Sequence, residues 1–296
     1  MKEFEVGGLT GKLDKTKQLI MDWYHQFNGQ VYISFSGGKD STVLLDIVRK
    51  LYPDVPAVFV NTSLEFPEIV DFVKTIDNVT IIRPKMNFRQ VVAKYGWPIV
   101  SKEQASYIYQ YRRAKSEKQK KLRWEGNKDG RYKISKKWRY LVTDHPELKI
   151  SSKCCDVMKK RPFHIYEKET GRKPFVGIMA GESKLRLQFL LRDECNAFNA
   201  KRPVSRPILG WSEDDIWEYI KQNGIKYSKI YDMGYERTGC MFCAFGHHLD
   251  LKKGRDRFKT LSATHPKHFK YCMDKLGMRQ VMEIYLKNEK ISRNTL

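Results

Sequence analysis

The feature that most constrains this chain is a short apolar run that stops at two glycines. Val31-Tyr32-Ile33-Ser34-Phe35 is rich in β-branched and aromatic residues, the profile of a strand buried on both faces. It runs into Ser36-Gly37-Gly38-Lys39-Asp40-Ser41 and then into a helical pattern from Thr42 to Leu51. A buried strand followed at once by a helix belongs to an α/β layer architecture, because the helix must pack back on the sheet the strand enters. The same alternation continues downstream. Residues 57–61 read as a second strand, 65–76 as a helix, 79–83 as a third strand, 173–179 as a further strand and 213–222 as a helix with Ser212 at its N-cap. Upstream, residues 10–27 suit an amphipathic helix and Asn28-Gly29 ends it. The expected fold is a parallel sheet flanked by helices, Rossmann-like, with no internal repeat.

The turn itself is built for an anion. Backbone N–H groups at a helix N-terminus hold negative charge, and Gly37 and Gly38 let the backbone come close to it. Lys39 adds a compact cation, Ser41 and Thr42 add hydroxyls, and Asp40 is a ligand for Mg²⁺ or an orienting partner for water. The spacing is too short for the G-x-x-x-x-G-K-[ST] loop. An ordinary tight turn would not need all of these groups together.

Charge points to a polyanion. The 296 residues hold 56 Lys+Arg against 34 Asp+Glu, a net of +22. Residues 112–139 alone carry +10, with Arg112, Arg113, Lys120, Lys121, Arg123, Lys136 and Lys137 interleaved with Trp124 and Trp138. Cations interleaved with aromatics suit phosphate contact and base stacking, so these nine residues are candidate nucleic-acid contacts. The plain alternative is a solvated helical arm. Residues 252–296 add a further +8. No run is long and apolar enough for a membrane span, and Met1 to Leu9 lacks the apolar core of a secretory signal, so a cytoplasmic protein is expected.

Six cysteines are present: Cys154, Cys155, Cys195, Cys240, Cys243 and Cys272. In a cytoplasmic chain disulfides are not expected. Cys240-Met241-Phe242-Cys243 is a C-x-x-C knuckle whose two thiolates can reach one metal, and Cys154-Cys155 is an adjacent pair upstream. Four thiolates suit either zinc or an iron–sulfur cluster, although adjacent cysteines are unusual for tetrahedral zinc. Cys195 and Cys272 fall outside the pattern and read as ordinary buried residues.

Taken together these segments resemble a known family. Ser36-Gly37-Gly38-Lys39-Asp40-Ser41 resembles the SGGxDS motif of the PP-loop, or adenine nucleotide alpha hydrolase, superfamily. Asn61-Thr62-Ser63-Leu64-Glu65-Phe66-Pro67-Glu68 is similar to the NTGxxFPE segment of its phosphoadenylyl-sulfate reductase branch. Pro207 to Trp211 with Asp214 to Ile220 is similar to that branch's helix entry, and Tyr227 through Gly239 also follows it. The resemblance covers about residues 28–100 and 150–246 and implies an adenine nucleotide at the C-terminal edge of the sheet. It implies nucleotide-binding roles for Ser34, Ser36, Gly37, Gly38, Lys39, Asp40, Ser41, Thr42, Asn61, Thr62, Glu65, Gly181, Ser183 and Arg186, with Lys39, Asp40 and Arg186 catalytic. The cysteine pair followed by C-x-x-C resembles the signature of assimilatory reductases that carry a [4Fe–4S] cluster, which implies Cys154, Cys155, Cys240 and Cys243 as its ligands. Lys159-Lys160-Arg161-Pro162 sits where the branch has basic residues before a proline, within reach of either the cluster or the nucleotide phosphates, or as a solvated turn.

Two departures shape the functional expectation. The reductases of this branch carry a nucleophilic cysteine in a C-terminal tail, whereas this sequence has no cysteine after Cys272. In Gly177 to Arg186, similar to the family's GxRRxxSxxR, Met179 and Ala180 stand at the two arginine positions, while Glu182-Ser183 resembles the phosphorothioation relatives. Arginines there would clamp phosphate or sulfate, so a phosphosulfate substrate is disfavoured. The leading expectation is an ATP pyrophosphatase that uses ATP and Mg²⁺ to adenylate an acceptor for sulfur incorporation, with nucleic acid as acceptor (DNA phosphorothioation or tRNA thiolation). A sulfur donor of the cysteine desulfurase kind and partner subunits would complete such a system. The alternatives are a sulfonucleotide reductase using an external thiol or Cys272, and a non-catalytic nucleotide-sensing subunit that binds nucleic acid. The domain reading is an α/β nucleotide domain at residues 1–246, with a basic insertion at about 102–148, and a basic helical extension at 247–296. If the basic stretches hold nucleic acid, affinity measured by filter binding falls steeply with added salt, and a salt-independent affinity returns them to the solvated reading.

Overall fold

A computed structural model describes residues 8–192 and 194–287, apart from the side chains of Lys184 and Leu185. The first residues of the leader reading and the last nine of the C-terminal extension, with the sequence after Lys287, therefore lie outside the described residues. The chain divides into two compact units. The first takes residues 1–61, 65–83 and 162–238; the second takes residues 62–64, 84–161 and 239–296. This differs from boundaries at 102, 148 and 246. The insertion and the C-terminal extension share one core with the cysteine-bearing segments: Trp138 packs its ring 5.5 Å from that of Tyr285, and the Tyr140 hydroxyl donates to the Tyr285 carbonyl at 2.8 Å.

The first unit holds a six-stranded sheet in the order β3-β2-β1-β4-β6-β5, with β1 at Val31–Phe35, β2 at Ala57–Val60, β3 at Val79–Ile82, β4 at Lys173–Val176, β5 at Asn196–Ala197 and β6 at Val204–Ser205. All pairings are parallel except β5 with β6. Register is fixed by the buried central strand, with Ile33 opposite Ala57 on one side and Phe175 on the other. The four longer strands fall where the apolar pattern put them; β5 and β6 are two residues each and carry no pattern.

The helices of this unit follow the same logic. They are α1 Gly8–Gln26, α2 Lys39–Leu51, α3 Pro67–Lys74, α4 Arg161–Thr170, whose first residue belongs to the other unit, α5 Lys184–Leu191 and α6 Glu213–Asn223. α2 turns Val43, Leu44, Ile47 and Val48 into the core at helical spacing. Pro67 starts α3, where a missing N–H costs nothing. The strand order reverses between β1 and β4, the switch point at which open α/β sheets bind ligands beyond the C-terminal strand ends.

The second unit is largely helical. The helices Phe88–Tyr95, Lys102–Arg113, Glu117–Glu125 and Met278–Leu286 supply most of its regular structure. Among the described residues its sheet-like contact is the parallel bridge of Trp97 with Ile150. The helical pattern expected over residues 256–285 is broken into pieces. Pro266 ends one helix, a π-helical turn occupies Tyr271–Lys275, and Gly277 at φ +84° separates that turn from the last helix. Among the described residues no helix is long and apolar enough to cross a membrane.

The start of α6 supplies a stability test. Asp215 Oδ2 accepts from Lys12 Nζ at 2.6 Å, from the Ser212 amide at 2.6 Å and from the Ser212 hydroxyl at 2.7 Å. Burial works against its charge, but Lys12 and Ser212 outweigh that and hold its pKa below the ordinary carboxylate range. A depressed carboxylate contributes stability above its unfolded pKa and loses it as pH falls through the folded one. Asp215→Asn should therefore cost about 1–2 kcal/mol near neutrality, and the gap to the parent should narrow in urea denaturation as pH falls below the ordinary carboxylate range.

Candidate nucleotide site and thiol cluster

Residues 36–41 form a closed circuit of hydrogen bonds. The Gly38 amide donates to Ser36 Oγ at 3.3 Å, the Ser36 and Ser41 hydroxyls meet at 2.9 Å, and Ser41 Oγ donates to the Gly38 carbonyl at 2.9 Å. The Ser36 amide donates to Ser41 Oγ at 3.2 Å, and Thr42 Oγ1 donates to the Gly38 carbonyl at 3.0 Å. The hydroxyls of Ser41 and Thr42 therefore brace the turn. The Lys39 amide donates to the Tyr231 hydroxyl at 2.8 Å, so the first-turn amides of Asp40 and Ser41 are the ones a helix of this kind offers to an anion.

Gly37 sits at φ +72°, and a Cβ there would lie 2.8 Å from both Ile69 Cγ2 and Val73 Cγ2 of α3. Gly38 has ordinary backbone angles but faces hydroxyls: a Cβ would come within 2.7 Å of Thr238 Oγ1 and 3.1 Å of the Tyr231 hydroxyl. At the adjoining end of β4, Gly177 lets the chain pass Ser41, whose Cα would be 3.1 Å from an added Cβ.

Charge is concentrated at this loop. The Lys39 side chain is 4% exposed, with Nζ 3.4 Å from Asp40 Oδ1 and 3.2 Å from Glu213 Oε1. Nζ also stands 5.6 Å above the Tyr231 ring and 6.0 Å above that of Trp217. Burial opposes its charge, but Asp40, Tyr231 and Glu213 more than offset this, and its pKa is raised, so Lys39 is a cation at neutral pH. Burial pushes the Asp40 carboxyl up, against the pull of Lys39 and Arg237. Although Lys39 lies within ion-pair range, Asp40 Oδ1 is buried and makes no hydrogen bond. That orphaned oxygen fits a divalent cation, and Asp40 is the residue that would hold Mg²⁺. Arg186 is half-buried, and its Nη1 pairs with Glu182 Oε2 one helical turn away. Burial, then repulsion from Arg237, lowers its pKa.

The other expected nucleotide residues are spread along the first unit and its border. Ser34 lies in β1, Asn61 just after β2 and Glu65 just before α3. Thr62 belongs to the second unit, where Thr62 Oγ1 accepts from the Leu64 amide at 3.3 Å. Gly181 lies in the 3₁₀ turn Ala180–Glu182, and Ser183 caps α5 by accepting from the Arg186 amide at 3.3 Å. Met179 and Ala180, at the two arginine positions, are both buried, Ala180 in an apolar cluster with Leu19, Cys195 and Leu209. Motif reading missed Tyr231, Arg237, Thr238, Glu213 and Trp217; the similar run from Tyr227 to Gly239 was the signal for the first three.

All four motif cysteines belong to the second unit. Cys154 and Cys155 end a helical turn that passes into the π-helical Asp156–Lys160, and their Sγ atoms are 4.0 Å apart. The C-x-x-C turn closes with the Cys243 amide donating to the Cys240 carbonyl at 3.1 Å. The thiols feel one another. The hydrogen bond that Cys154 donates to Cys155, then burial, raises Cys154, with Cys243 and Cys240 adding to it. Cys155 falls to about 6, first through Cys154 and then through Lys102, Lys159 and Lys160. Lys159 and Lys160 are thus near enough to favour the Cys155 thiolate, while Arg161 pairs with Asp156 at 3.3 Å. Among the described residues no three Cys, His, Asp or Glu side chains stand converged on one metal ion. Four cysteines in one unit, with Cys154 feeling the other three, are by number and chemistry a donor set that suits either an iron–sulfur cluster or zinc. Cys272 is fully buried, and burial pushes its thiol up to about 12, so it is not a poised nucleophile.

The candidate nucleic-acid residues of the basic insertion are engaged to different degrees. Arg112 turns inward, donating to the carbonyls of Leu141, His145 and Leu148. Arg123 lies 4.6 Å over the Tyr107 ring and donates to Gln110 Oε1. Trp138 is 5% exposed, and Trp124 lies beneath the Arg139 guanidinium at 4.4 Å. Trp138 is thus buried, and Arg112, Arg123 and Trp124 are half-buried and engaged within the unit. Arg113, Lys121, Lys136 and Lys137 are exposed, and Lys120 pairs with Glu117 at 2.8 Å.

The parallel sheet, its switch point and the glycine turn with Lys39 define an α/β nucleotide-binding protein of the PP-loop type. The chain belongs to the phosphoadenosine phosphosulfate reductase domain family, which it matches over residues 30–125 and 107–245. That family is one of enzymes. The chain is 26% identical over 249 residues to an adenosine 5'-phosphosulfate reductase of Lysinibacillus sphaericus, covering 80% of this chain and 84% of that one. It is 26% identical over 259 residues to an uncharacterized protein of Methanocaldococcus jannaschii, covering 84% of this chain but only about half, 51%, of that protein's length. The crystal structure of phosphoadenylyl-sulfate reductase from Candida auris aligns with a TM-score of 0.43 at 16% identity, over 76% of this chain and 87% of that one.

The glycine at the turn is the simplest handle on the site. Gly37→Ala should lower stability by about 1–3 kcal/mol in thermal denaturation, because the new methyl meets α3 in a backbone region that side chains avoid. Gly38→Ala, whose methyl would press only on the Thr238 and Tyr231 hydroxyls, should cost less stability than Gly37→Ala and weaken ATP binding, as read by isothermal calorimetry.

Proposed function

We propose that this protein binds ATP at the 36–41 loop and adenylates an oxygen of an acceptor, releasing pyrophosphate, and that the acceptor is a nucleic acid into which sulfur is then introduced. The observation that carries this reading is the pair Met179 and Ala180. Where the family clamps a phosphosulfate with two arginines, this chain has buried apolar side chains that can donate to no anion. The buried thiol of Cys272 points the same way, since a reductase needs a reachable thiolate.

In this reading the acceptor oxygen attacks the α-phosphorus, the bond to the bridging oxygen breaks, and pyrophosphate leaves with the electron pair. The protein's contribution is positioning and charge neutralisation. The loop amides and Lys39 hold the phosphates. Arg186 and Arg237 meet the charge that develops on the α-phosphoryl and the leaving group. Asp40 would hold Mg²⁺, which supplies further neutralisation of the leaving pyrophosphate. Cys154, Cys155, Cys240 and Cys243 would hold a [4Fe–4S] cluster, which supplies a site for sulfur handling or a rigid brace for the second unit. A cysteine desulfurase-type donor fits as the source of sulfur.

A second reading is supported by the named relative, a sulfonucleotide reductase drawing on an external thiol. The two separate cleanly in one assay set. Pyrophosphate should appear from ATP on addition of DNA or tRNA, and Lys39→Ala or Arg186→Gln should slow it about 100-fold or more. Sulfite from adenylyl sulfate with thioredoxin, and no pyrophosphate under any acceptor condition, would overturn the first reading in favour of the second.

A further inference from the structure

The inward turn of Arg112, Arg123 and Arg139 leaves a question about the cations that remain. Several gather at a groove of about 610 Å³ between the helix Lys102–Arg113 and the loop that follows Gly130. Its walls include Glu103, Tyr107, Arg131, Tyr132, Lys133 and Lys136, three cations against one carboxylate. That carboxylate is engaged, since Glu103 accepts from the Tyr107 hydroxyl at 2.7 Å.

The loop is fastened from both sides. Gln104 accepts from the Ser135 amide at 2.8 Å and donates to the Lys133 carbonyl at 3.2 Å. Arg123 donates to the Tyr132 carbonyl at 2.8 Å, and the Ile134 amide donates back to the Arg123 carbonyl at 2.7 Å. Asn127 accepts from the Arg131 amide at 2.7 Å. Within this frame Tyr132 takes φ +64°, a left-handed conformation that is an outlier for a bulky side chain, and leaves its ring 52% exposed. A strained backbone that keeps a large aromatic surface in water is a cost without return in folding alone.

We propose that this groove grips single-stranded nucleic acid, with an unpaired base stacked on Tyr132 and backbone phosphates on Arg131, Lys133 and Lys136. The chemistry selects this occupant. Phosphate alone has no use for an exposed ring, and a duplex keeps its bases stacked inside where a tyrosine face does not reach them. Exposed Arg113, Lys121 and Lys128 on the same insertion suit a longer polyanion. The proposal rests on the nucleic-acid acceptor reading above and names where that acceptor is held.

The test uses the full chain and fluorescein-labelled oligo(dT) and oligo(U), read by fluorescence anisotropy. Tyr132→Asn removes the ring and places a residue that tolerates the left-handed backbone, so its melting temperature should equal or exceed the parent's. It should bind the oligonucleotides about tenfold more weakly. The double variant Arg131→Ala with Lys136→Ala should flatten the slope of log affinity against log salt by about 1.4, two phosphate contacts' worth. Parent-like affinity in Tyr132→Asn overturns the proposal, and so does displacement of the oligonucleotide by inorganic phosphate at matched ionic strength. Failure here is distinct from failure of the adenylation reading. If nucleic acid never stimulates pyrophosphate release but binding still depends on Tyr132, the groove stands and that reading falls. If stimulation occurs and is indifferent to Tyr132, the groove falls and that reading stands.

Discussion

Everything at the nucleotide site hangs on the close approach of α3 to Gly37. Ile69 and Val73 fill the space that a side chain at position 37 would need, and they can do so only because the backbone there turns through a left-handed angle. The turn lets a strand buried on both faces become a helix within a few residues, with Gly38 already at the N-cap. A slower turn would carry the Lys39 amide away from Tyr231 and the loop away from the crevice between β1 and β4. Hydroxyls then lock what sterics permit, since Ser36, Ser41 and Thr42 satisfy one another and the Gly38 carbonyl without help from solvent. The loop is therefore formed before any ligand arrives, which spares the ligand the entropy of ordering it.

The electrostatics of the loop have a direction. Lys39 is nearly dry, and a dry ammonium stays charged only when carboxylates face it. Asp40 and Glu213 provide them, with Asp40 Oδ1 facing Lys39 Nζ at 3.4 Å, and Arg186 Nη1 is held in the same way by Glu182. A carboxylate and a guanidinium that are only ion-paired within the protein keep the charge to meet a metal–phosphate group better than a bare anion. The mutual repulsion of Arg186 and Arg237 belongs to the same picture, since a polyphosphate relieves it.

How much of this was legible in the sequence follows from how local each feature is. The four longer strands, α2 and the cap at Ser212 are set by residues within one or two turns of each other, and they stand where the pattern placed them. Strands β5 and β6 are too short to have a period. Tyr231 and Glu213 reach the loop from nearly two hundred residues downstream, so no local pattern marks them. The two compact units are hidden from the sequence for the same reason. Residues 84–161 and 239–287 share a core across a long gap in sequence, and contact between distant segments leaves no trace in composition.

The net charge of +22 shows the limit of counting most clearly. An arginine has five donors in a rigid fork, and Arg112 spends that fork on three carbonyls that would otherwise be left unpaired in the second unit. Arg123 and Arg139 do similar work against the faces of Tyr107 and Trp124. Each contributes one unit to the total and little to a surface a ligand can touch. Lysine cannot form that planar fork, and Lys121, Lys136 and Lys137 stay at the surface with Arg113 and Arg131. The binding potential of the insertion therefore depends on which cations the fold has already used. A count weights the inward arginines and the outward lysines alike, whereas a phosphate backbone meets only the second set.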